Sequence, residues 1–221
     1  MNYWENDAKT GRPRGRTSWE LGAVEKREDG GARVVLELSY GAEEQRPVLA
    51  ERRVIEVGAP AADGSFAIDW DMTFTALEDC VLDRTPPPGE PGGRIYGGYA
   101  GLSLRLANID DRRAVTGEGD VAWNEHSRFR GRAPAFEYDG RLGGREVGVA
   151  ILSHPGNGPS PWYATRTKEM TFFSHAVLCE GPRRLSRGER LVLRYRVLVH
   201  PGRWDPARLG EALESYTAPN R

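Results

Sequence analysis

Apolar and polar positions alternate with a period of two through almost the whole chain, the signature of strands with one buried face. Phe66–Thr75 is the cleanest case: Phe66, Ile68, Trp70, Met72 and Phe74 fall on one side, with Asp69, Asp71, Thr73 and Thr75 on the other. Arg33–Tyr40 repeats the pattern with Val34, Leu36, Leu38 and Tyr40, and Val48–Val57 follows as another strand. Leu102, Leu104 and Leu106 share a side opposite Ser103 and Arg105. Further strands are expected over Ala133–Tyr138, Glu146–Ser153, Met170–Leu178 and Leu191–His200. Between them, Thr85–Gly98 carries Pro86-Pro-Pro-Gly and Pro91-Gly-Gly, which cannot continue a ladder and predict a long loop.

Only the C-terminus reads as helix. Asp205 can cap it, Pro206 suits its first position, and Leu209, Leu213 and Tyr216 line one face at spacings of four and three. So many strands with inner apolar rows predict an all-β fold, a large antiparallel β-sandwich with one C-terminal helix. The expected organisation is a single domain over residues 1–221.

Composition narrows the function classes. The 31 basic and 32 acidic residues nearly cancel, leaving a formal charge of -1, so no field of one sign calls for nucleic acid or an anionic membrane. The basic run from Lys9 to Arg16 reads as a solvated loop. Cys80 and Cys179 make neither a disulfide framework nor a zinc site, and are expected as buried free thiols. No stretch has the length of a membrane span, and the first residues lack the basic start and apolar block of a secretory signal. A cytoplasmic location is the resulting expectation. No HxH or HExxH spacing, dinucleotide fingerprint, G-x-S-x-G elbow or P-loop is present, so no metal and no cofactor is expected.

The richest chemistry lies in Ile151–Tyr163. An apolar strand stops at His154, and Pro155, Gly156, Asn157, Gly158, Pro159 and Pro161 stiffen the path to Trp162 and Tyr163. That stiffening is expected to aim the His154 imidazole and the Trp162 indole into one water-accessible hollow. His154 could move a proton, Asn157 could contact hydroxyls, and Trp162 and Tyr163 could wall a sugar ring. His175 shares a side with Thr171 and Phe173 and is expected beneath the same opening. Arg105 and Arg166 are candidate anion or hydroxyl contacts, and Glu137 is a carboxylate that could oppose or orient a histidine. His200, ahead of Pro201 at a strand's close, reads as structural.

At residues 2–6, Asn-Tyr-Trp-Glu-Asn, and at His154-Pro-Gly-Asn157 with Pro161-Trp-Tyr163, the chain resembles the PmoA-like family of bacterial proteins. The resemblance runs over essentially the whole chain, through Ile68–Thr75, Tyr99–Arg105, Val147–Pro155 and Tyr195–His200. Relatives usually carry further strands and a histidine-rich stretch ahead of the Tyr-Trp-Glu segment, so the resemblance implies a chain lacking those strands. Relatives also tend to accompany sugar-oxidoreductase genes, which implies carbohydrate metabolism. A looser likeness of fold runs to galactose mutarotase-like sandwiches, and implies a supersandwich.

Three functions stand open. In the first, an enzyme works on a carbohydrate or keto-sugar derivative, with His154 or His175 moving a proton, Glu137 opposing it, and Arg105, Asn157, Trp162, Tyr163 and Arg166 holding the substrate. The second is a non-catalytic carbohydrate-binding module, and the third a structural β-sandwich whose free sheet edge pairs with another chain. The expected partner is a small carbohydrate-like ligand, and the free edge leaves a homo-oligomer open.

Overall fold

The computed structural model describes residues 3, 7–42, 45–159 and 161–218, so the segment 2–6 lies outside the described residues apart from Tyr3. The strands in chain order begin with β1 (Gly15–Lys26), β2 (Ala32–Ala42), β3 (Leu49–Val57), β4 (Phe66–Ala76) and β5 (Cys80–Leu82). Next come β6 (Ser103–Leu106), β7 (Asp110–Thr116), β8 (Gly119–Asp120), β9 (Arg128–Arg132) and β10 (Ala135–Leu142). Last are β11 (Arg145–Ser153), β12 (Pro161–Arg166), β13 (Thr171–His175), β14 (Arg183–Leu185) and β15 (Arg190–Pro201), followed by helix α1 (Pro206–Thr217).

Nine strands form one antiparallel sheet in the order β1-β2-β3-β4-β15-β11-β10-β7-β8. Four more, β6-β13-β12-β9, form a smaller sheet, and β14 pairs with β5. The fold is mostly β with large antiparallel sheets and a single C-terminal helix among the described residues. Alternation set the faces as expected: Ile68, Trp70, Met72 and Phe74 of β4 join the core between the sheets, with Phe136, Tyr138, Ile151, Trp162, Phe173 and Tyr195. At the C-terminus, the Asp205 carboxylate accepts from the Arg208 backbone N–H at 2.8 Å, and Pro206 opens the helix. Leu209, with Leu213 and Tyr216, seats α1 on the outer face of the large sheet over Ala135, Ala150 and Leu152.

The middle of the large sheet is therefore covered twice, by the small sheet on one side and α1 on the other. Every residue of β10 from Ala135 to Gly140 is buried, including two carboxylates. The far end is different. β1 is an edge strand, and Trp19, Leu21 and Val24 stand exposed on it, Trp19 by 65%.

Two sequence expectations need correction. Pro161-Trp-Tyr163 does not close a turn but opens β12, paired on both sides by β13 and β9. Proline is tolerated there because it holds the first strand position. The strand expected over Met170–Leu178 ends at His175, where Ala176 turns back to donate its N–H to Pro161 O.

Candidate functional site

The expected hollow shared by His154 and Trp162 does not exist. Trp162 is 0% exposed, sealed between the sheets with its indole N–H donating to Ala133 O at 2.7 Å. Phe136 and Phe173 stack against it at centroid distances of 5.2 and 6.3 Å. His154 lies on the other side of the large sheet, because it sits in phase with Leu152 and Ala150, which face α1. Its Nδ1 accepts the Gly156 N–H at 2.9 Å, capping a short 3-10 turn over Pro155–Asn157, and its ring meets Tyr216 of α1 edge-on. Since Nδ1 accepts, the proton of the neutral ring sits on Nε2.

The other expected site residues scatter. His175 does approach Trp162, with ring centroids 5.2 Å apart, but inside the sandwich rather than beneath an opening. Its Nδ1 lies 2.9 Å from the Tyr195 hydroxyl, and burial pushes its pKa down to about 4, which keeps the ring neutral near pH 7. Asn157 clamps the 3-10 turn to β15: its amide donates to Arg194 O at 2.7 Å and its Oδ1 accepts the Arg194 N–H at 2.8 Å. Tyr163 projects from the small sheet away from the core, beneath Arg130. Arg105 is exposed on β6 at that sheet's edge, and Arg166 lies 4.8 Å over the Trp123 ring. His154, His175 and Glu137 thus occupy separate surroundings, and no hollow joins the eight candidates.

Glu137 gained a partner that sequence reasoning set aside. It points to the α1 side of β10, where His200 of β15 reaches across β11 to place Nε2 3.3 Å from Glu137 Oε1. The path crosses Gly148: a Cβ there would stand 2.3 Å from His200 Cε1 and 2.8 Å from Glu137 Oε1. A glycine within an apolar strand marks such close approaches and was the one local signal for this pair. Trp204 covers the imidazole at 3.8 Å between centroids, nearly parallel, and its backbone N–H approaches Glu137 Oε1 at 3.4 Å. Beside them Asp139 accepts two bonds from Arg113, at 2.6 and 3.0 Å, with Arg203 at 3.7 Å.

Burial holds the Glu137 carboxyl above its ordinary pKa, and Asp139 pushes the same way, against the opposing pull of His200. Its Oε2 has no hydrogen-bond partner. The His200 Nδ1 lies 3.2 Å from Pro201 O, a contact that requires a proton on Nδ1. Nε2 then turns its lone pair toward Glu137 Oε1, 3.3 Å away, and like Glu137 Oε2 it is buried without a hydrogen-bond partner. His200 and Trp204 also form part of a shallow cleft of about 400 Å³ between α1, β15 and the β3–β4 connection. Arg196, Arg208, Glu211 and Ser65 supply its polar lining. Among the described residues, no group of three or more His, Cys, Asp or Glu is placed to hold a metal. Cys80 and Cys179 are free thiols, each partly buried, and among the described residues no helix is long and apolar enough to cross a membrane.

A family described as being of unknown function, DUF6807, matches residues 1–214. The chain belongs to that family. Among solved structures, this DUF6807 protein is similar to a galactose mutarotase-related enzyme from Lactobacillus acidophilus. The identity is 9%, over 83% of this chain and 71% of that one, with a TM-score of 0.38. A search of curated proteins finds no match.

Proposed function

We propose that the protein acts on a carbohydrate or keto-sugar derivative by acid–base proton transfer, with Glu137 and His200 as the working pair. The carrying observation is the buried carboxyl of raised pKa 3.3 Å from an imidazole that borders a cleft. A carboxyl shifted toward neutrality and an imidazole exchange a proton at small cost, as general acid–base chemistry requires. His200 borders the cleft from beneath Trp204, so in this reading it stands between the substrate and Glu137, which holds or returns the proton behind it. The resemblance to PmoA-like proteins points to the carbohydrate class. On this proposal the catalytic role moves from His154, which caps a turn, and His175, which is buried between the sheets, to His200.

A non-catalytic module is the second reading, favoured by one observation. The cleft's cations are already engaged, Arg196 by Asp69 through two bonds of 2.7 Å and Arg208 by Glu211 at 2.9 Å. The experiment that separates the readings is NMR of reducing sugars and keto-sugars in deuterium oxide. Anomer exchange or deuterium uptake above the uncatalysed rate, lost in Glu137→Gln, supports the enzyme. A sugar that shifts cleft resonances yet shows no exchange with wild-type protein sinks it and leaves the module.

A further inference from the structure

A different surface, on the opposite side of the sandwich, carries an unbalanced positive charge. Arg128 and Arg130 stand two apart on β9, so both project from the small sheet away from the core. Their cross-strand neighbours on β12 are Thr165 and Tyr163. Arg128 donates to Thr165 Oγ1 at 2.9 Å and to His126 O at 3.2 Å. Arg130 lies 4.9 Å over the Tyr163 ring and donates to Ile95 O at 2.8 Å and Gly97 O at 2.7 Å, which draws the 83–101 loop over this face.

These bonds leave three strong donors idle. Arg128 Nε, Arg130 Nε and the Tyr163 hydroxyl are buried without a hydrogen-bond partner, and Tyr163 is 2% exposed. Both guanidinium groups are half-buried, and among the described residues neither has a carboxylate within 4.0 Å. Arg53, Arg113 and Arg196, also half-buried, have acids in Glu51, Asp139 and Asp69, whereas Arg112 and Arg166, like this pair, are held by backbone, hydroxyl and ring contacts. Two cations this close, partly stripped of water and unneutralised, repel each other, and burial with the charge of Arg128 lowers the pKa of Arg130. An anion between them would remove the repulsion and accept from the idle donors.

We infer that Arg128, Arg130 and Tyr163 form a binding site for an oxyanion group on a small ligand: a carboxylate, sulfate or phosphate. A planar guanidinium fork suits all three, and a phenol donor adds a third direction. The inference does not rest on the Glu137–His200 reading, since the two places lie on opposite outer faces.

Calorimetric titration of the whole protein at fixed ionic strength tests it, with glucuronate, inorganic phosphate and sulfate as separate probes and glucose as the neutral control. At least one anion should bind saturably while glucose does not, and the strongest of the three identifies the source of the oxyanion. Arg128→Gln should weaken that binding about tenfold or more, the loss expected when a charge-assisted bond goes. Tyr163→Phe should weaken it several-fold and leave the ligand-free protein at least as heat-stable, since it deletes a buried unpaired hydroxyl. Failure of all three anions to bind overturns the inference, as does binding that is unchanged in Arg128→Gln. If Arg128→Gln does not fold, Tyr163→Phe decides: undiminished affinity there overturns the site.

Discussion

His200 Nε2 reaches to within 3.3 Å of Glu137 Oε1 from two strands away, and does so over a residue with no side chain. Gly148 lies between them in the β10–β11–β15 ladder, so a methyl group there would fall where the imidazole edge now lies. Gly148→Ala is expected to cost about 2 kcal/mol or more through overpacking, read by urea unfolding. In a His200→Ala background the same change should cost far less, because the colliding ring is gone. Equal costs in both backgrounds would show that the glycine serves something other than this contact.

His175 makes stability depend on pH. Its folded pKa of about 4 lies below the usual 6.5, so the unfolded chain binds the extra proton first. The stabilisation is complete above pH 6.5 and declines as pH falls toward 4. Between pH 7.5 and pH 5 this single group should account for about 2 kcal/mol. Urea unfolding of wild type and His175→Gln at both pH values measures it, and parallel pH dependences would contradict the buried neutral ring.

Asn157 and His154 should part company. Asn157→Ala removes two bonds to the β15 backbone and one to Ser153, and is expected to cost about 2 kcal/mol. His154→Ala loses a turn cap and an edge contact to Tyr216, for about 1 kcal/mol. Neither change should touch sugar turnover beyond its effect on the folded fraction. A His154→Ala protein that is fully folded yet inactive would restore the imidazole to the reaction.

The β1 edge should govern association. Trp19, Leu21 and Val24 lie exposed on an edge strand paired on one side by β2, and its open side invites pairing with a second chain unless charge blocks it. Sedimentation across a wide concentration range is expected to show self-association in wild type and less of it in Trp19→Lys. A wild-type protein monomeric throughout would remove that expectation.

Much of the architecture was legible in residue order alone. β4 showed a row of apolar side chains, four of which (Ile68, Trp70, Met72 and Phe74) join the core, against polar neighbours, and α1 announced itself through Asp205 and Pro206. β12 was not legible, because it is buried on both faces: Trp162 and Ala164 enter the core, while Tyr163 and Thr165 lie under arginines and a loop. Without alternation, a strand opening on proline looks like the end of a turn. The same cause hid His175, whose companions Thr171 and Phe173 lie on the inner side of the sandwich. Glu137 and His200 are 63 positions apart in number but have only β11 between them in space, a relation that depends on which strands become neighbours. Local patterning carries no such information, and Gly148 alone hinted at it.

The bare position on β11 also constrains how the last part of the molecule can assemble. Shift that strand by one residue against its neighbours and a valine arrives beneath the imidazole, which then has nowhere to lie. Trp204 stacks on that ring just ahead of the helix, so the helix finds its seat only on a correctly aligned sheet. The seat of the C-terminal helix and the alignment of β11 are thus tied to one and the same bare position.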